Sequence, residues 1–81
     1  MNFFVYVIEN ENGQWYIGQT NNWQLRVKKH NSQKVKSTKN RGVWNIIYKL
    51  GFKTRSEAMR HEEYLKSGAG RKYLKELLDR K

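Results

Sequence analysis

Two aromatic tripeptides, Phe4-Val5-Tyr6 and Tyr16-Ile17-Gly18, stand on either side of the pair Asn12-Gly13, an arrangement that commits the start of the chain to a β-hairpin. Phe3 to Ile8 is a continuous apolar and β-branched run suited to a strand buried on both faces, and Trp15-Tyr16-Ile17 resumes the pattern. Asn-Gly supplies the positive backbone angles of a tight hairpin turn. Closing that turn brings Tyr6 and Tyr16 close together.

The rest of the chain alternates helix and strand signals. Thr20, Asn21 and Asn22 can all cap a helix, and Trp23 to Asn31 contains neither Gly nor Pro, so a first helix follows. Ser32 to Gly42 carries Lys34, Lys36, Lys39 and Arg41 among polar residues, with only Val35 apolar, and reads as an exposed basic loop, mobile without a ligand. Val43 to Leu50 reads as a third strand, with Trp44, Ile46, Tyr48 and Leu50 on one parity, Ile47 on the other, and Phe52 extending the core. Thr54-Arg55-Ser56-Glu57 is a capping box that starts a second helix running from Ala58 to Ser67, stopped by Gly68 and Gly70. A final helix from about Arg71 to Arg80 places Leu74, Leu77 and Leu78 in one stripe.

A chain of 81 residues is read as a single domain over 1–81. Three Trp, five Tyr and three Phe favour an aromatic core over disorder. The absence of cysteine excludes a disulfide framework and thiolate zinc sites. No apolar stretch approaches the roughly 20 residues that cross a bilayer, and Met1 to Ile8 lacks a signal peptide's positive n-region, so the expectation is cytoplasmic with no membrane partner. The net charge of +10 is uneven, with no carboxylate and ten Lys or Arg between Glu11 and Glu57. A polyanion is the natural partner. Lipid is disfavoured, because no segment combines a broad apolar face with a basic one. Nucleic acid is the reading, with Lys28, Lys29, Lys34, Lys36, Lys39 and Arg41 as its contacts.

The second helix holds a contradiction. Ala58, Glu62 and Leu65 share a face, with Met59 beside them, which puts a carboxylate in the inward stripe. Such a group needs a basic partner or a cation; the plain alternative is an ion pair with Arg26 or a lysine. On the first helix Arg26 and His30 lie one turn apart on the side of Trp23, where a guanidinium fork and an imidazole can meet one phosphate. His61 is turned about 100° from Glu62 and reads as structural or idle.

The ordered set Phe4-Val5-Tyr6, Tyr16-Ile17-Gly18, Arg26, His30 and Glu62 resembles the GIY-YIG endonuclease superfamily, specifically its small single-domain members and the nuclease domain at the N-terminus of the excinuclease protein. Thr20-Asn21-Asn22, Lys29-His30-Asn31-Ser32, Thr54 to Ala58, and Leu65 to Gly68 with Gly70-Arg71 extend the likeness over nearly the whole chain. The resemblance implies an α+β (α/β-class) fold, a three-stranded antiparallel sheet flanked by helices in the order β-β-α-β-α-α. It also implies a site with one divalent metal, magnesium or in its place manganese, held by Glu62. In that scheme Arg26 clamps the scissile phosphate, His30 is a second contact or proton relay, and Tyr6 or Tyr16 takes a proton from the attacking water. Tyr6 is favoured, being on a central strand, and the positive surroundings are expected to lower its pKa from about 10. Three positions depart from the pattern: Phe4 replaces the first glycine, Gln19 stands where some relatives carry lysine, and Lys29 where small members often have an acid.

The sequence therefore points to a divalent-metal-dependent endonuclease acting on DNA, with RNA a weaker candidate. With no appended base-reading module, it would be directed by DNA structure or by a protein partner. The rival is a catalytically weak or inactive module of the same fold that binds DNA or RNA, in which Trp15, Trp23 and Trp44 stack bases or pack the core. A third option, an interaction domain that uses the aromatic surface, requires no salt-sensitive affinity for DNA or RNA.

Overall fold

The computed structural model describes residues 2–33, 35–36 and 38–78. Its elements run β1 (Phe3–Asn10), β2 (Trp15–Thr20), α1 (Trp23–Asn31), β3 (Trp44–Phe52), α2 (Arg55–Lys66) and α3 (Gly68–Leu77), an α+β fold in the expected order. The three strands form one antiparallel sheet in the order β2-β1-β3. β1 is central because it alone is apolar on both faces: Val5, Tyr6, Val7 and Ile8 are all fully buried.

The two faces have different covers. Val5 and Val7, with Ile17 of β2, pack against Ala58, Leu65 and Leu74 of α2 and α3. Tyr6 and Ile8 pack with Trp44, Tyr16 and Ile46, and α1 covers them through Val27. Burying Leu65 or Leu74 stabilises the fold by about 2 kcal/mol each, which is what holds the short helices on the sheet. Among the described residues no helix is long and apolar enough to cross a membrane.

Several local expectations are corrected. The register of β3 slips at Val7/Ile8, with Tyr48 opposite Val7 and Ile46 opposite Ile8, so Ile47 is the extra residue of a bulge. The bulge sends Trp44 and Ile46 to one face of the sheet and Tyr48 to the other, in place of the single parity expected. The hairpin loop is closed by Asn10 N–H to Gln14 O and Gly13 N–H to Asn10 O, with positive φ at Gly13 but not at Asn12. This is a three-residue loop rather than a two-residue turn. The buried Asn10 side chain organises it, accepting from the Asn12 and Gln14 amides and donating to Arg41 O.

The basic loop is not a free arm. Thr38 is fully buried within it, and Asn31 exchanges two hydrogen bonds with the Trp44 backbone across its base. Lys36, Lys39 and Arg41 are exposed, whereas Lys34 lies outside the described residues. Ser67 ends α2 and caps α3, its hydroxyl accepting from the Gly70 amide, so Gly68 and Gly70 belong to α3 instead of separating the helices. The expected end of this helix at Arg80 lies outside the described residues. Leu74 is buried, but Leu77 is 54% exposed and leaves the expected stripe. Met59 does likewise at 46% exposed, so it does not flank Glu62 on an inward face.

Candidate active site

Tyr6 sits mid-strand, opposite Gly18 on β2 and Lys49 on β3. Gly18 has no side chain, so the Tyr6 phenol lies across it toward the free edge of the sheet; a Cβ there would stand 2.7 Å from Tyr6 Oη and 3.1 Å from Tyr16 Cε1. Tyr16, two residues earlier on the same face, brings its ring to 6.3 Å from that of Tyr6. Asn22 caps α1 by accepting from the Leu25 amide, and the helix then delivers Arg26 and His30 one turn apart onto both tyrosines. The His30 ring lies 5.8 Å from Tyr6 and 4.8 Å from Tyr16. At the start of α1, Trp23 is covered by Lys49 Nζ at 3.8 Å.

One protonation pattern gives every group in this chain of contacts a partner. His30 Nδ1 is 2.7 Å from Thr38 Oγ1, and the Thr38 hydroxyl donates onward to Val35 O. Thr38 oxygen therefore accepts from Nδ1–H, leaving His30 Nε2 to accept the Tyr6 hydroxyl proton at 2.9 Å. Burial, and then the nearby Arg26 charge, lowers the His30 pKa to about 4, so the imidazole is neutral at pH 7. Burial pushes the Tyr6 phenol up to about 12, against the opposing pull of Arg26, while Tyr16 and Glu62 add to the rise. The expectation that positive surroundings would lower this pKa is thus corrected: desolvation of a fully buried phenolate outweighs one guanidinium. Arg26 lies within hydrogen-bonding reach of the Tyr6 and Tyr16 hydroxyls, which raises its own pKa, and its Nε is buried without a partner.

Glu62 comes from α2, in the layer covering the opposite face. Its carboxylate lies near enough to Tyr6 to bear on the phenol's charge. Oε1 accepts from Gln19 Nε2 at 3.2 Å and Oε2 from Lys66 Nζ at 2.8 Å, so its ion-pair partner is Lys66 and not Arg26. Lys66 stands four residues after Glu62, in the favourable helical order, a signal open to sequence reasoning. Thr38 left no such signal, because no periodicity marks a single buried hydroxyl in a polar loop. Lys29 flanks the site, lining with Arg26 a hollow of about 200 Å³, while Lys28 faces a different one with Leu25 and Val27. His61 holds the Tyr48 hydroxyl at 2.9 Å on the α2 side and has a structural place there.

Comparison with known proteins decides the family. The model of the GIY-YIG catalytic domain matches residues 2–74. The chain belongs to the GIY-YIG family. It is 40% identical over 73 residues to the UPF0213 protein BH0048 of Halalkalibacterium halodurans, covering 89% of this chain and 78% of that one. It is 42% identical over 66 residues to the UPF0213 protein YazA of Bacillus subtilis, covering 80% and 67%. The solution structure of the UPF0213 protein BH0048 from Bacillus halodurans superposes with a TM-score of 0.59 at 38% identity, covering 95% of this chain and 85% of that one.

GIY-YIG domains are nuclease domains that act on DNA and generally use a divalent metal. Among the described residues no three His, Cys, Asp or Glu side chains gather in a ready-made cage. One feature of this GIY-YIG site still fits such an ion. Gln19 Oε1 is buried without a hydrogen-bond partner beside the Glu62 carboxylate, and two oxygens with waters suit a hard cation.

The lowered His30 pKa has a measurable consequence for stability. The unfolded chain takes up the His30 proton near pH 6.5, whereas the folded chain resists it down to about 4. The contribution is complete above pH 6.5 and is lost as pH falls to 4, on the order of 2–3 kcal/mol. Burial lowers His61 as well, with the same sign. Urea midpoints measured across this window for the protein and for His30→Gln are expected to show a flatter slope in the variant; parallel slopes would contradict the assignment.

Proposed function

We propose that this GIY-YIG domain is a divalent-metal-dependent endonuclease that hydrolyses DNA phosphodiester bonds, with cleavage placed by DNA structure or a partner protein. The observation that carries the reading is the Tyr6 hydroxyl, donating to a neutral His30 with Arg26 beside both. A phenol with a pKa near 12 cannot act as a free base at neutral pH, but it can pass a proton on. As the water oxygen bonds to phosphorus, its proton moves to Tyr6 Oη, the phenol's own proton moves to His30 Nε2, and the phosphorus–oxygen ester bond breaks. The leaving oxygen takes its proton from solvent.

Arrival of a phosphate supports this relay, because its negative charge offsets the Arg26 repulsion that helps hold His30 neutral. The half-buried Arg26 guanidinium stabilises charge on the phosphoryl oxygens. Glu62, with Gln19 Oε1, would hold one magnesium or manganese ion, which supplies further positive charge to the reacting phosphate when bound. Lys66 must release the carboxylate first. That ion pair is also what favours the rival reading, a binding module whose carboxylate stays occupied.

Plasmid nicking in magnesium separates the two readings. Glu62→Ala is expected to reduce cutting by about 10²-fold or more while salt-sensitive DNA binding persists. Binding without metal-dependent cutting in either protein would leave the module.

A further inference from the structure

We infer that the free edge of β2 continues from the reaction site into a track for an unpaired nucleic-acid strand, with Trp15 as its stacking wall and Arg41, Arg71 and Lys75 as its phosphate contacts. The inference rests on the nuclease reading and assigns it a substrate class, DNA bearing a single-stranded extension next to the cleavage point.

Two hollows share a wall at Trp15, where β2 leaves the hairpin. One, of about 530 Å³, is lined by Trp15, Arg41, Arg71 and Lys75, with Glu9. The other, of about 290 Å³, is lined by Tyr16 and Lys66 and again by Trp15 and Arg71. Tyr16 belongs to the catalytic cluster and Lys66 holds Glu62, so the second hollow borders the reaction site, and it shares Trp15 and Arg71 with the first. Besides Lys66, which pairs with Glu62, they collect Arg41, Arg71 and Lys75, and Glu9 accepts the Trp15 indole N–H at 2.9 Å, which orients the ring. Arg71 and Lys75 are four residues apart on α3 and so share a side of that helix.

The chemistry of these walls selects a single strand. A positive groove with an aromatic side chain is how unpaired strands are held without sequence preference, and hollows of this size do not admit a duplex. Of the three tryptophans, Trp44 is buried and Trp23 is covered by Lys49, which leaves the half-buried Trp15 to meet a base. As an edge strand, β2 also leaves backbone amides unpaired for phosphate oxygens. Trp15 stands four residues from Gln19, about 13 Å along the strand, which is the reach of a few nucleotides.

The test is binding of metal-free protein to fluorescent duplexes ending blunt or in 5′ or 3′ thymidine overhangs of increasing length. Affinity is expected to rise about 10-fold for one polarity over the first four nucleotides and then level off, with the Trp15 indole N–H resonance shifting in the same titration. Arg71→Gln with Lys75→Gln should bind overhang and blunt duplexes alike, and lower the salt slope by about one per cation removed. No gain with either polarity, or a gain that survives in the double variant, overturns the track. Cleavage of the same overhang duplexes in magnesium keeps the two ideas apart: cutting without an overhang gain in affinity removes the track alone, whereas an overhang gain without metal-dependent cutting of any duplex retains the track and removes the nuclease reading.

Discussion

Gly70→Ala is expected to destabilise the protein by about 4 kcal/mol or more, or to prevent folding altogether. A Cβ at this position would be driven into the Tyr64 carbonyl oxygen and would stand 2.6 Å from Leu65 Cα. Both are backbone atoms of α2, so neither can rotate away, and relief requires the two helices to move apart. That separation would loosen Leu65 and Leu74, both fully buried in the core that covers the α2–α3 face of the sheet. Gly68→Ala is the control, since nothing lies within 4 Å of its Cβ and an alanine in the first turn of α3 favours the helix by a few tenths of a kcal/mol to about 1 kcal/mol. Urea unfolding followed by circular dichroism compares the pair. Similar midpoints for the two variants would refute the close approach.

Gly18→Ala acts on the chemistry instead, and cleavage is expected to fall by about 10²–10³-fold with the sheet intact. The new methyl would sit 2.7 Å from Tyr6 Oη and 2.9 Å from Cζ, so the phenol has to turn. Tyr6 is fully buried, and its hydroxyl cannot move far without breaking the 2.9 Å bond to His30 Nε2 and its approach to Arg26. The proton path then loses its middle member, a kind of misplacement that costs far more in rate than in stability. Single-turnover nicking should show the loss in the rate and leave DNA affinity near that of the parent. Undiminished cutting would mean that Tyr6 is not on the proton path.

The main architecture was legible along the chain because its signals are local. The aromatic runs around Asn12-Gly13 led to the hairpin, the Asn22 cap and the Thr54-to-Glu57 motif marked two helix starts, and an uncharged apolar run made β1 central. Helical spacing placed Arg26 and His30 on one side, where the structure brings both onto Tyr6 and Tyr16. The misses concern neighbours. Gly70 looked like a helix stop and is a contact between helices, while the Ser32-to-Gly42 loop looked free and is pinned by Thr38 against the ring of His30. Parity counting along β3 failed because the bulge at Ile47 depends on the register against β1.

What the amino-acid sequence determined by itself was the order of elements, the family, and the placing of Arg26 and His30 on one side of α1, since periodicity and capping act within a few residues of each other. Tertiary structure alone decided the state and surroundings of those groups: a protonated Tyr6, a neutral His30, a Glu62 carboxylate shared by Gln19 and Lys66, and a hollow beside Tyr16 lined by Lys66 and Arg71. Desolvation and charge pairing are set by atoms that arrive from distant stretches of chain, so they come into being only when the layers close.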